Sequence, residues 1–365
     1  MHVHNMPDVL VFSALVPKIL GAKIILALHD PMPELMMTIF GLRESSFSVW
    51  LLKKFEKLCL RFADAVLTPN EAFKRIFSAR SCPAGKISVV MNSPDEEIFQ
   101  YREGFAGRDN SKSRVIMYHG SLVERNGLDL AVTALRKIRE TIPNAELRIY
   151  GRSTRYLKQV MDSVRKFELC DAVRFLGPKS LEQIAEAIRE CDVGVIPNQR
   201  NIFTQLNMPT RIFEYLSQGK PVIAPRAAGI LDYFGPQDLV FFELGDADDL
   251  AAKLEYVLSH PREMKRIVER GQKVYRGHTW SSERLFFVSI ADRLLKRTKR
   301  SAAQAENCSG ILSRKSKMIL VSAAPLLACL ILLLIFLAPT RGLKTRRFWG
   351  PPSAWGRGMF KSTPG

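Results

Sequence analysis

The sequence is as informative in what it omits as in what it contains. No GxGxxG run occurs anywhere in its 365 residues, which disfavours a dinucleotide-binding half. Walker A, HExxH and GxSxG runs are missing too, which removes the P-loop, zincin and nucleophile-elbow chemistries. Cysteine is sparse: six residues, at 59, 82, 170, 191, 308 and 329, form no CxxC pair or ligand spacing. That argues against a zinc framework and points to a reducing compartment. Acidic side chains are also short, 36 against 54 basic ones, for a net charge of +18. Residues 292–365 hold fourteen of the basic groups and two acids, so +12 of the excess sits in the tail. The body is only mildly basic, and nothing in it calls for nucleic acid as a partner.

What is present suits two packed domains: the length allows them, and 47% hydrophobic with 25% charged residues allows real cores. Residues 8–16 are apolar, 23–28 read as a strand, HDPMPE as a loop, and 47–62 as an amphipathic helix. A strand at 65–68, a helix at 70–77 opened by Asn70 as N-cap, and a strand at 86–90 follow. Residues 93–113 are polar and turn-rich and mark a linker. Six apolar strands then alternate with helices as far as 259: RVIMYHG, AELRIYG, VRFLG, CDVGVIP, PVIAP and LVFFEL. This predicts an open, mostly parallel sheet covered on both faces, whose strand-to-loop points share one edge.

A terminal amphipathic helix is expected over 281–300 and a basic connector over 301–317. Residues 318–340 are 23 positions without a charge. As a helix they would be about 34 Å long, enough for a bilayer core of about 30 Å. The expectation is a single-pass transmembrane helix, with the body left on the cytoplasmic side of the cell inner membrane or another cytoplasmic-facing membrane. A basic, disordered tail over 341–365 completes the chain.

Three places carry candidate chemistry. In YHGSLVERNGLDL, Gly120 and Gly127 let backbone approach a ligand closely, the helix start near Gly127 offers its positive end to phosphate, and Arg125 adds a guanidinium fork. The alternative is an ordinary glycine turn after a strand. In NMPTRIFEYLSQGKPVIA, Pro209 pre-sets the backbone, Thr210 is placed to cap the helix, and Arg211 and Glu214 share one helix face. They form either a plain ion pair or a site in which Glu214 accepts from a ribose diol. Asn198 and Asn201 line the same crevice or are unremarkable loop polars. His29, with Asp30 and Glu34 after it, ends a strand of the first half and is either a cleft residue or loop filler; an unperturbed imidazole hydrogen-bonds in either charge state. His2 and His4 alternate like strand side chains and are discounted as metal ligands.

These runs, with VRFLG, CDVGVIP, PRAAG and ALHDPMPE, resemble the retaining, nucleotide-sugar-dependent glycosyltransferases of the GT-B fold, family 4, over roughly residues 1–300. The resemblance implies an α/β architecture of two Rossmann-like domains facing a cleft. The acceptor-side domain would span 1–110, the donor-binding domain 111–277, and a helix at 278–300 would return to the first. Relatives begin with a further block of strands and helices, so the resemblance implies N-terminal truncation and an incomplete first domain. It implies that Glu214 holds the ribose, that Gly120, Arg125, Pro209 and Arg211 line the diphosphate site, and that His29 lies near the reacting centre with the two arginines. No cofactor or metal is implied; the partners are a nucleotide sugar, a lipid-linked or saccharide acceptor and the membrane. Three positions depart from the pattern. Leu206 stands where the family's motif has its first glutamate, and Ser121 and Asn126 stand where it has arginine and lysine. They favour, as the rival reading, an impaired nucleotide-binding homologue serving as a membrane-anchored scaffold.

Overall fold

The structure, a computed structural model, describes residues 1–105 and 113–308. Met1–Ala305 is one compact unit; of the second, Glu306–Gly365, only the end of the last helix falls within the described residues.

The first domain is a parallel sheet of four strands in sequential order: β1 (His2–His4), β2 (Ile25–Ala27), β3 (Ala65–Thr68) and β4 (Ile87–Val89). β1 adds to the three strands read from the sequence; the His2/His4 alternation is its pleat. A 3-10 segment, Asp8–Ala14, and α1 (Leu15–Ile19) lead to β2. α2 (Met32–Phe40) forms where HDPMPE was read as loop. Pro33 sits in its first turn, where no intrahelical N–H bond is lost. α3 (Phe47–Phe62) follows, then α4 (Glu71–Arg80), and Asn70 caps α4 as expected, accepting from Phe73 N at 2.8 Å.

Beneath this sheet Arg80 grips two buried carboxylates. It holds Glu34 at 2.5 and 2.9 Å and Glu56 at 2.6 and 2.9 Å. Glu34, a candidate cleft residue in the sequence, is thus spent inside the fold.

The second domain carries β5 (Arg114–His119), β6 (Ala145–Tyr150), β7 (Val173–Phe175), β8 (Val193–Val195), β9 (Val222–Pro225) and β10 (Val240–Phe242). They are all parallel, in the order β10-β9-β8-β5-β6-β7. The connecting helices are α5 (Leu128–Ile138), α6 (Arg155–Lys166), α7 (Leu181–Arg189), α8 (Arg211–Ser217), α9 (Ala228–Leu231) and α10 (Ala247–Ser259). One apolar core, including Leu135, Ile149 and Val193, covers one face of the sheet; another, around Met117, Phe213 and Tyr275, covers the other. Each fully buried side chain of this size contributes about 1.5–3 kcal/mol.

α11 (Pro261–Arg276) has no counterpart in the sequence reading; it buries Met264, Val268, Gly271, Gln272 and Tyr275 along one stripe. α12 (Trp280–Cys308) sets Phe287, Ile290 and Ala291 against Ile25, Ala27, Ala65 and Leu67 of the first sheet. It runs into the segment read as a connector.

One expectation is corrected. Among the described residues no helix is long and apolar enough to cross a membrane, and residues 318–340, to which the transmembrane helix was assigned, lie outside the described residues, as does the tail over 341–365. Among the described residues the fold is two Rossmann-like domains with no membrane-crossing helix, so the single-pass topology and the membrane placement expected from the sequence are not carried forward.

Candidate functional site

Strand order in the second sheet reverses at β5: β6 and β7 lie to one side, β8 to the other. Crevices open at the carboxyl ends of parallel strands where the winding reverses. Two loops flank this point, 120–127 after β5 and 196–210 after β8. They are locked together. Gly127, at φ +64°, passes so close to the Pro197 carbonyl that a Cβ would lie 1.8 Å from its oxygen. Gln199 N donates to Arg125 O at 3.0 Å and Gln199 Nε2 to Asp129 at 2.8 Å.

His119 closes β5 and is 6% exposed. Its Nε2 lies 2.5 Å from Glu214 Oε2 and its Nδ1 2.9 Å from the Tyr215 hydroxyl. Its carbonyl accepts from Arg211 Nη1 at 2.5 Å. Arg211 and Glu214, one turn apart on α8, therefore converge on one residue of the neighbouring strand. Tyr215 donates to Met117 O at 2.9 Å. It fits against the sheet because position 194 has no side chain; a Cβ there would come within 2.4–2.5 Å of the Tyr215 ring.

Gly120 (φ +128°) abuts the Arg211 side chain, and its N–H goes to Tyr150 O at 3.0 Å. It makes room for Arg211 rather than offering an N–H to a ligand. The Arg211 guanidinium lies 5.0 Å from the centre of the Tyr118 ring. Pro209 is buried at the start of the helix. Thr210 caps with its backbone only, its carbonyl accepting from Phe213 N and Glu214 N, and makes no side-chain cap bond. The α5 terminus likewise spends its N–H groups internally, Gly127 N on Glu124 O and Asp129 N on the Tyr156 hydroxyl.

Arg125 borders a cavity of about 270 Å³ lined also by Thr38 of α2, Asp129, Tyr156, Gln199 and Asn201. Its guanidinium sits 5.8 Å from the Phe203 ring centre, and burial holds its pKa below the usual arginine range, with Asp30 opposing the shift. Asn201 faces Thr38 across this space at 3.4 Å. Asn198 is buried, and its Oδ1 has no hydrogen-bond partner.

His29 does not act alone. Its Nε2 is 2.7 Å from His4 Nδ1 and the rings stack, 5.0 Å between centroids. Asn5 fastens the same loop, accepting from His29 N at 2.9 Å and donating to Asp30 O at 2.9 Å and Asp8 Oδ1 at 3.1 Å. Burial, helped by His4, pushes the His29 pKa down to about 4. Near pH 7 its ring is therefore neutral, whereas the sequence left both charge states open. Burial raises the Asp30 carboxyl, and Arg125 opposes the rise.

Two of the three departures, Leu206 and Asn126, make side-chain contacts in the fold; Ser121 takes part only through its backbone carbonyl. Leu206 and Phe203 pack on the first domain's core, and Phe203 meets Phe73 with 6.2 Å between centroids. Asn126 Nδ2 and the Tyr118 hydroxyl both donate to Ser121 O.

Sequence reasoning missed His119 and Asn5, and it discounted His4. The signal for His119 was a lone polar residue ending the apolar run RVIMY, just before a glycine.

Residues 102–274 match the family Glycosyl transferases group 1. Sulfoquinovosyl transferase SQD2 of Arabidopsis thaliana is 26% identical over 285 residues, which cover 73% of this chain and 51% of that protein. The chain spans about half the length of the curated relatives it matches. Among solved structures, Anabaena Alr3699/HepE in complex with UDP has a TM-score of 0.63 at 17% identity, covering 81% of this chain and 78% of that one. Sucrose-phosphate synthase (tll1590) from Thermosynechococcus elongatus gives 0.64 at 18%, covering 81% and 73%. The matched segment contains both loops at the strand reversal and the helix that follows them. The chain therefore has a GT-B-like fold of two Rossmann-like domains, and its residues 102–274 match the glycosyl transferases group 1 family.

Proposed function

We propose that the chain moves a glycosyl group from a nucleotide-diphosphate sugar to a hydroxyl of a saccharide or lipid-linked acceptor, with retention of configuration. The observation that carries this reading is the convergence of Arg211 and Glu214 on His119 beside Gly120. It presents a carboxylate and a guanidinium together at the edge where parallel sheets bind nucleotides. HepE, of like fold, is described with UDP and with UDP-glucose.

Glu214 spends one oxygen on His119 and keeps the other for the ribose hydroxyls, which donate to it. Arg211 uses one N–H on the His119 carbonyl and keeps the rest of its fork for diphosphate oxygens, while Arg125 adds positive charge from the β5 loop. Both stabilise the negative charge that grows on the leaving diphosphate. In the transfer, the bond from the anomeric carbon to the diphosphate oxygen breaks, and the bond to the acceptor oxygen forms on the same face. The acceptor proton passes to the departing phosphate oxygen. His29, neutral near pH 7, orients the reactants by hydrogen bonding.

The test is a thermal-shift screen of the full chain against UDP, GDP, ADP and CDP, followed by product analysis with the sugar nucleotide of the base that binds. One nucleotide should raise the Tm, and Glu214→Ala should abolish the shift; no response to any of the four would overturn the reading. A second reading, nucleotide binding without transfer, draws on Leu206 being packed into the first domain and on Ser121 and Asn126 leaving the β5 loop without two cations. A Tm shift with no transfer product would favour it.

A further inference from the structure

The hydrogens around His119 can be counted. The Met117 carbonyl can only accept, so the Tyr215 hydroxyl 2.9 Å away must spend its single hydrogen there. That leaves the hydroxyl oxygen as acceptor for His119 Nδ1 at 2.9 Å, so Nδ1 carries a hydrogen. A neutral imidazole with its hydrogen on Nδ1 would turn a bare Nε2 lone pair toward Glu214 Oε2 at 2.5 Å. Two lone pairs do not meet at that distance; one more proton must lie between them. Both side chains are largely buried, at 7% and 15% exposure, where an unpaired carboxylate would be costly and a charged partner offsets the loss of water.

We infer that His119 is the positioning residue of the nucleotide site: an imidazolium paired with the Glu214 carboxylate, which holds that carboxylate in place while its carbonyl holds Arg211. The inference rests on the nucleotide reading for its functional part only; the proton count stands without it.

The closing experiment has two readouts. In the ligand-free full chain, ¹⁵N NMR of His119 at pH 7.5 should show two protonated ring nitrogens, and Glu214→Gln should return the ring to the neutral pattern. One bare ring nitrogen in the wild type would overturn the imidazolium assignment. In calorimetry with the nucleotide selected by the screen, His119→Leu should weaken binding about tenfold to a hundredfold, the range for a lost hydrogen bond to a charged group. His119→Gln, whose amide reaches the Nε2 position as a donor, should restore most of it, with matching melting curves showing that both variants fold. Unchanged binding in a folded His119→Leu would overturn the positioning role and leave the nucleotide reading standing. A wild type that binds no nucleotide would remove that reading and leave the NMR result to decide the pair.

Discussion

His4 Nδ1 lies 2.7 Å from His29 Nε2, across two adjacent parallel strands that begin 23 residues apart. One hydrogen serves both atoms, so the tautomer of His29 is coupled to a residue of the strand beside it. Protonating either ring would set a charge against its neighbour in a half-buried site.

This has a consequence for pH. With the His29 pKa at about 4 against an ordinary 6.5, the unfolded chain binds a proton between those values that the folded chain does not, so stability from this group falls as pH drops from 6.5 to 4. Asp8 acts in the opposite sense. Burial first, then Glu56, raise its carboxyl to about 7 from 3.8 against the Asn5 hydrogen bond, so the folded chain holds a proton the unfolded one releases, and stability falls as pH rises from 3.8 to 7. In Asp8→Asn the Asp8 contribution is removed and the others stay as in the wild type. Its Tm relative to the wild type should climb between pH 4 and 7 and level off above; a difference that stays flat across that range would contradict the Asp8 assignment.

Arg80 pairs with two carboxylates that are 5% and 0% exposed. Arg80→Met would leave two buried charges uncompensated and should cost about 3–5 kcal/mol in urea unfolding. Adding Glu34→Gln and Glu56→Gln should recover part of that loss.

Gly127→Ala should cost about 2 kcal/mol or more. The left-handed backbone penalises a side chain, and the new methyl would press on the Pro197 carbonyl. Gly85→Ala, with open space around it, is the control and should change the unfolding midpoint little.

Arg211→Ala should weaken sugar-nucleotide binding at least about tenfold in calorimetry, the range for a lost charge-assisted hydrogen bond. Arg211→Lys should recover little, because an ammonium cannot bond the His119 carbonyl and a diphosphate in one plane. A wild-type dissociation constant in Arg211→Ala would remove Arg211 from the site.

Much of the architecture was legible before any coordinates. The six strands of the second domain are short apolar runs between helical periods, and each appears where the run predicts it. The Asn70 cap was readable from residue type and position. α11 was readable in principle: Met264, Val268, Gly271 and Tyr275 keep helical spacing, but the polar residues between them hid the stripe. α2 was obscured by two prolines, which a helix tolerates in its first turn.

By itself the sequence determined the alternation of strand and helix, the glycines that permit close approach, and the presence of Arg125, Arg211, Glu214 and His29 at strand ends and helix starts. Those are local properties, set by period, propensity and backbone freedom. Only the tertiary structure decided which side chains face one another. The strand reversal at β5 carried α8 over His119, β1 laid His4 and Asn5 against His29, and the fold turned Glu34 inward to Arg80. A hydrogen bond between residues 95 positions apart, such as His119 to Glu214, leaves no trace in either segment's pattern. It depends on sheet order, and sheet order follows from how the whole chain packs.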